Sequence, residues 1–185
     1  MTHRGPGAPE RLLQSALSEF ARHGPGGART DRIADRAGVN KQLIHYYFHS
    51  KAGLYEAAVR HAASAVADQL SRIPLVGLTA VERLRRLVLA QFHFLREHPD
   101  HTTLLLGAPD GGTWGDVALA PLTALLHEGQ ATGFFRDDLD PESHARLALL
   151  LTLGYFASRG LAARWGEPEK WAERAAELIV RGSSW

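Results

Sequence analysis

Cysteine is absent from this chain of 185 residues. Its absence excludes a disulfide framework and any metal site built from thiolates, and it suits a reducing compartment. Long apolar runs are absent too. No stretch of about 18 apolar residues is available to span a membrane, and the N-terminal segment lacks the apolar core of a signal peptide. We therefore expect a soluble, cytoplasmic protein with no membrane partner.

Excess charge of one sign is nearly absent overall, since the chain carries a net charge of only +1. The distribution of charge is more informative than the total. Residues 1–55 hold eight Lys or Arg against four acidic residues, a net +4, whereas the remaining 130 residues carry −3. A basic module therefore precedes a mildly acidic one.

Convincing strand alternation is also absent, and apolar residues recur at helical spacing along the chain. The fold class is therefore predicted to be all-α. Thr30 and Asn40 are predicted as helix caps, and Gly38 as a left-handed turn between them. The predicted helices cover, to within a residue or two, 9–23, 30–37, 41–48, 51–73, 79–98, 100–106, 114–132, 141–165 and 168–181.

The stretch RIADRAGVNKQLIHYYFHSK, residues 32–51, places a glycine bend between two short helices. At about 100° per residue, Ile44 and Phe48 define the buried face of the second helix, and Gln42 and Tyr46 point away from it. Such a pair, with long polar and aromatic groups facing outward, is typical of a helix-turn-helix that presents its second helix to the major groove of DNA. Phe48 is thus predicted as core.

The chemistry of the outward side chains separates them into two sets. Lys can donate to guanine, Gln can pair with adenine, Leu suits a thymine methyl and His can donate to a base acceptor. The predicted base contacts are Lys41, Gln42, Leu43 and His45. Hydroxyl and ammonium groups suit backbone phosphates, and the predicted phosphate contacts are Thr30, Tyr46, Tyr47 and Lys51. Residues 1–50 are accordingly predicted as a helix-turn-helix DNA-binding domain.

Residues 9–56 resemble the tetracycline-repressor (TetR) family of bacterial transcriptional regulators. The resemblance is carried by IADRAGV in the second helix, by HYYF at the end of the third, and by the pair Ser50 and Lys51 before the fourth. Leu43 and His45 stand where the family often has Thr and Tyr, so the usual base contacts do not carry over at these positions. The resemblance implies that residues 51–185 form a helical ligand-binding and dimerisation domain.

One polar residue interrupts the apolar stripe of the predicted helix 79–98. Gln91 lies in line with Leu84, Leu87, Val88 and Leu95, and a buried amide needs hydrogen-bond partners. It either bonds a neighbouring backbone group or faces a cavity that aromatic residues could line. The candidate pocket residues are Gln91, Phe92, Phe94, Trp114 and Tyr155. The resemblance implies a small-molecule effector for this domain.

The last two predicted helices are apolar around much of their circumference. We therefore predict a two-fold four-helix bundle between two copies, and a homodimer that binds a palindromic operator in double-stranded DNA. The predicted interface residues are Leu147, Leu151, Gly154, Trp171, Ala175, Leu178 and Ile179. The alternative is that both helices pack within the chain, against the long helix that begins at Lys51.

The sequence favours two alternative functions, a metal-responsive regulator and an enzyme, less than a DNA-binding regulator with an organic effector. A metal-responsive regulator would use His93, Glu97, His98 and His101, because imidazole and carboxylate suit zinc or nickel. An enzyme is disfavoured, because the Gly-rich loops lack the Lys-Ser/Thr sequel of a phosphate loop and no Ser has the context of a nucleophile elbow. We therefore predict a transcriptional regulator that is not an enzyme and has no cofactor. Its expected form is a dimeric repressor released from DNA by a small, largely apolar ligand.

Overall fold

The computed structural model describes residues 7–108, 111–158 and 167–184, excepting the side chains of residues 111 and 112. Every regular element in these ranges is an α-helix, which confirms the all-α class. The helices are α1 Ala8–Gly27, α2 Thr30–Ala37, α3 Gln42–Phe48, α4 Lys51–Ser71, α5 Ala80–Glu97, α6 Pro99–Leu106, α7 Gly111–Ala131, α8 Pro141–Ala157 and α9 Pro168–Ser183. The end of the predicted helix 141–165 lies outside the described residues beyond position 158. None of the described helices is long and apolar enough to cross a membrane.

The first two helices differ from the prediction at their ends. Gly24 is not helical, with φ 65° and ψ 172°, so the regular part of α1 ends there, but a further turn that includes Pro25 carries the element to Gly27. Thr30 is not a cap, as predicted, but the first helical residue of α2. Arg29 occupies the N-cap position and makes no side-chain capping bond. The capping prediction was wrong because the extended chain after Gly27 is one residue shorter than expected.

Two compact units make up the chain, Met1–Ala63 with Pro99–Gly111, and Ser64–His98 with Gly112–Trp185. Helix α4 contributes its first part to the first unit and its remainder to the second. The first unit also includes α6, which is distant in sequence from α1, α2 and α3. The predicted functional boundary at residue 50 therefore falls inside the first compact unit.

The core of the first unit is formed where α1 packs against α2, α3 and α6. Phe20 on α1 is 2% exposed and meets the ring of Tyr55 edge-on, with ring centroids 5.1 Å apart. The Tyr55 hydroxyl donates to the carbonyl of Gly107 at 3.2 Å. Burial of each large apolar side chain contributes about 1.5–3 kcal/mol, so this core holds the short helices α2 and α3 in place.

The second unit is built around α5, which packs against α8 and α9. Thr79 and Glu82 form a capping box at the start of α5: the Glu82 amide donates to Thr79 Oγ1 at 3.3 Å, and the Thr79 amide donates to Glu82 Oε2 at 2.8 Å. His144 on α8 bonds the carbonyl of Ile179 on α9 at 2.8 Å. These local and cross-helix bonds fix the ends of the three helices.

Candidate functional site

The turn between α2 and α3 leaves α3 with one fully buried residue. Gly38 has the predicted left-handed conformation, with φ 63° and ψ 40°. The Asn40 side chain accepts a hydrogen bond from the Gln42 amide at 2.8 Å, so it caps α3 as predicted. Ile44 is 1% exposed and anchors α3 against the core. A short helix held by one residue presents most of its surface outward.

The exposed side of α3 carries most of the predicted contact residues. Lys41, Gln42 and His45 are exposed, and Tyr46 is 73% exposed. The Tyr46 and Tyr47 rings pack edge-on, with centroids 4.8 Å apart, so each ring restricts the other. Leu43 is half-buried, which leaves only part of its side chain for an apolar contact.

Phe48 differs from the prediction. It is half-buried rather than part of the core, and its ring lies 6.3 Å from that of Tyr47. Phe48 is the last residue of a seven-residue helix. The aromatic run therefore contributes little to the core.

A surface hollow of about 300 Å³ brings several predicted residues together. Residues from α2, from α3 and from the start of α4 line it: Thr30, Lys41, Ile44, His45, Ser50 and Lys51. Two ammonium groups and two hydroxyls at one concave place form an anion-binding environment. Tyr46 and Tyr47 do not line this hollow, and Ser50, named above only for the family resemblance, is a lining residue that was not predicted as a contact.

The two lysines of the hollow are already held by partners. Lys51 is half-buried, and its Nζ donates to the carbonyl of Gly26 at 3.1 Å. Lys41 Nζ lies 2.6 Å from Asp31 Oδ1 on α2. The hydrogen bond from Lys41 lowers the pKa of the Asp31 carboxyl. The predicted base contact of Lys41 would therefore require it to give up this carboxylate partner.

The hydrogen bond of His45 indicates which of its ring nitrogens carries the proton in the neutral form. Its Nδ1 lies 2.8 Å from the carbonyl oxygen of His49. Because a carbonyl only accepts, Nδ1 carries the proton, and Nε2 of the neutral ring is an acceptor. In that tautomer His45 suits an amino group of adenine or cytosine, whereas the predicted donor role would need the doubly protonated ring.

A buried carboxylate fastens α2 to α1, and the sequence reasoning missed it. Glu19 is 1% exposed, accepts from the Arg29 amide at 3.0 Å and lies 2.6 Å from Arg32 Nη2. Burial by itself raises the pKa of Glu19, but the hydrogen bonds from Arg29 and Arg32 outweigh it and lower the pKa. The available signal was an acidic residue within the apolar stripe of the first helix, next to Phe20.

The junction of α3 and α4 is unusually close. Ser50 Oγ accepts from the Gly53 amide at 3.0 Å and so caps α4. A Cβ at Gly53 would lie 2.2 Å from the carbonyl oxygen of Phe48, which is closer than real atoms approach. Glycine at position 53 therefore lets the end of α3 sit directly against the first turn of α4.

Helix α3 exposes a polar face, a capped glycine turn precedes it, and donor groups line the hollow beside it. Together these features define a DNA-binding protein of the helix-turn-helix class. Residues 12–58 match the family model described as bacterial regulatory proteins, tetR family. The HTH-type transcriptional repressor NicS of Pseudomonas putida is 27% identical over 158 residues, which are 80% of this chain and 74% of that protein. Residues 12–58 therefore form a TetR-family DNA-binding domain, and the chain is a DNA-binding transcriptional regulator, not an enzyme.

Two further comparisons cover very different shares of the chain. The HTH-type transcriptional repressor SCO4008 of Streptomyces coelicolor is 47% identical over 60 residues, 32% of this chain and 31% of that protein. A solved structure of a TetR-family regulator from Rhodococcus sp. superposes with a TM-score of 0.77 at 20% identity, covering 96% of this chain and 98% of that one. The fold is thus shared with this structure over 96% of the chain.

The predicted pocket residues do not all face the same way. Gln91 and Trp114 are buried, as are Phe92 and Phe94. The Phe92 ring lies 5.3 Å from that of half-buried Tyr155 on α8. The Phe94 ring is instead stacked on that of His98, with centroids 4.1 Å apart. Phe94 is therefore left out of the proposed pocket.

The predicted interface residues also fall into two sets. Leu147 is 51% and Leu178 62% exposed, and Gly154 is exposed as well. Leu151 and Trp171 are half-buried, and Trp171 Nε1 donates to the Leu151 carbonyl at 3.3 Å. Ala175 and Ile179 are buried within the chain, at 4% and 3% exposure, and are left out because α9 uses them to pack inward. Leu150, 63% exposed, extends the α8 stripe and was not predicted.

The metal alternative is not supported. Within the described ranges no group of three or more His, Asp or Glu side chains is arranged to hold a metal ion. His98 bonds the Phe94 carbonyl through Nδ1 at 2.8 Å and stacks on the Phe94 ring.

Proposed function

We propose that the protein is a cytoplasmic homodimeric repressor that binds an inverted repeat through α3 of each subunit. The hollow lined by Thr30, Lys41, His45 and Lys51 supports this proposal most directly. Thr30 and Lys51 bind backbone phosphate there, with Tyr46 and Tyr47 on the same side of α3. Lys41, Gln42 and His45 read base edges, and the open part of Leu43 meets a thymine methyl.

The exposed apolar stripe on α8 and α9 supports the homodimer. Leu147, Leu150, Leu151 and Gly154 recur at helical spacing on α8, and Leu178 lies on the neighbouring α9. A second copy would cover both helices and form the four-helix bundle. Two recognition helices then bind half-sites one helical turn apart, about 34–36 Å.

A small, largely apolar effector that binds the second unit is proposed to release the operator. Gln91 and Trp114 supply buried polar groups for it, and Phe92 and Tyr155 supply apolar surface. Release follows if the effector binds more tightly to the DNA-free conformation than to the DNA-bound one.

Selection of bound fragments from a random-sequence DNA pool tests the proposal. Enrichment of an inverted repeat is the expected result, and its spacing reports the distance between recognition helices. Enrichment of a single half-site without its inverted copy would contradict the dimer. Absence of enrichment by folded, dimeric protein would contradict operator binding by the effector-free form.

A further inference from the structure

The centre of the buried face of α5 is occupied by an amide. Gln91 lies within about 40° of Leu84, Leu87 and Leu95 around the helix, and it is 0% exposed. Neither Nε2 nor Oε1 has a hydrogen-bond partner among the described residues. An apolar side chain would fill this place without leaving polar atoms unpaired.

A second buried donor in the same compact unit is also unpaired. Trp114 on α7 is 7% exposed, and its Nε1 has no partner in the described part of the chain. Other buried polar side chains of this unit are satisfied: Thr152 donates to the Ala148 carbonyl at 2.9 Å, and Ser183 to the Ile179 carbonyl at 2.7 Å. Native proteins leave few buried polar groups unpaired, so Gln91 and Trp114 are exceptions that need a cause.

We propose that Gln91 and Trp114 recognise the effector, and that the effector is an uncharged molecule with both a hydrogen-bond acceptor and a donor. This inference rests on the effector role proposed for the second unit. Gln91 offers two N–H donors and one carbonyl acceptor, and Trp114 offers one donor. An amide, a lactam or a phenol on an otherwise apolar body has the matching groups.

The absence of buried charge in this unit restricts the effector further. Among its described residues, the buried side chains with polar atoms are those of Gln91, Trp114, Thr152 and Ser183, all of them neutral. A carboxylate, phosphate or ammonium would enter without a countercharge, which is strongly unfavourable. The recognised end of the effector is therefore neutral.

The first test needs no ligand. Replacing Gln91 by Met keeps the volume and removes the unpaired amide, so the urea midpoint of the effector-free variant should rise above that of the wild type. Gln130→Met is the matched control, because Gln130 Nε2 donates to the carbonyls of Arg136 and Leu139 at 2.9 and 2.7 Å. Its midpoint should fall. A fall for Gln91→Met as well would show that internal water or the chain satisfies the amide, and would overturn the proposal.

The second test uses defined probes. Wild-type protein is heated with 2-quinolinone, 2-naphthol or 2-naphthamide, which are neutral, and with 2-naphthoate, the charged counterpart of the last. At least one neutral probe should raise the unfolding temperature, and the rise should be lost in Gln91→Met and reduced in Trp114→Phe. An equal rise with 2-naphthoate, a rise that persists in Gln91→Met, or no rise with any neutral probe would overturn the proposal.

Failure of this inference can be told apart from failure of the proposed function. Selection from the random DNA pool with the effector-free wild type reports operator binding independently of the probes. If no repeat is enriched, operator binding by the effector-free form is wrong, whatever the probes do. If a repeat is enriched but no neutral probe stabilises the wild type, only the effector class is wrong.

Discussion

In the proposed DNA interface, side chains on α3 and at the start of α4 are expected to affect general DNA affinity and base preference separately. Lys51→Ala should weaken binding to every DNA sequence and lower the slope of log affinity against log salt by about one, because one phosphate contact is lost. Gln42→Ala should instead change the base preference at about one or two positions. Fluorescence anisotropy at several salt concentrations, with operator and scrambled duplexes, measures both effects.

Lys170, the third lysine of the chain, provides the control for losing a positive charge away from the proposed DNA interface. Lys170 is exposed on α9 and pairs only loosely with Glu167, at 3.7 Å. Lys170→Ala should leave the salt slope unchanged. Equal losses on all sequences from Lys51→Ala and Gln42→Ala would contradict the division into phosphate and base contacts.

The buried Glu19 carboxylate should make the free energy of unfolding depend on pH. Because the pKa of this carboxyl is lowered in the folded protein, its contribution is complete above the ordinary pKa of 4.5 and is lost as pH falls through the folded value. Glu19→Gln should lower the free energy of unfolding at neutral pH by about 1.5–3 kcal/mol, the value of a hydrogen bond to a charged group. Urea unfolding at pH 7 and pH 3 should show a smaller difference between variant and wild type at pH 3. A constant difference would contradict the linkage.

At the scale of elements, the contact between α3 and α4 couples the two helices. Gly53→Ala should force the carbonyl of Phe48 away from α4, because the new Cβ would lie 2.2 Å from it. The expected loss of stability is about 1–3 kcal/mol, as for other overpacked sites, and operator affinity should fall with the displacement of α3.

Gly115→Ala is the matched helix control. A Cβ there meets no atom within 4 Å, so the substitution should stabilise the protein by about 0.5–1 kcal/mol and leave operator affinity unchanged. Thermal unfolding and anisotropy distinguish the two variants. Unchanged operator affinity in Gly53→Ala would mean that the α3 position does not depend on this contact.

Most helices could be predicted because their signals are local. Pro74, Pro99 and Gly38 act on the residues beside them, and apolar spacing marks the faces between. The pairs that arrange the candidate site join different helices: Lys41 with Asp31, and Glu19 with Arg32. Such pairs depend on how the helices pack, so the sequence pattern could name the lysines of the hollow but not their partners.

At the scale of the whole molecule, assembly should depend on the exposed stripe of α8. Leu150→Glu places a carboxylate in the proposed interface, and the penalty of several kcal/mol for an unpaired buried charge should raise the dimer dissociation constant at least about a hundredfold. Val76→Glu is the control, since Val76 is 96% exposed outside both helices. Sedimentation equilibrium should show monomers for the first variant and dimers for the second. Dimers in both would place the interface elsewhere.

The ion pair between Lys41 and Asp31 has a consequence for how fast the operator is found. If Lys41 contacts DNA as proposed, the closed pair would mask this cation, and the protein would leave unrelated DNA sooner and spend more time sampling new positions. Asp31→Asn should free Lys41, raise affinity for unrelated DNA and steepen its salt slope by about one. In a large excess of such DNA, the variant should reach its operator more slowly in stopped-flow measurements, and an equal or faster arrival would rule out this role. A single acidic residue would then shorten the search at a small cost in final affinity.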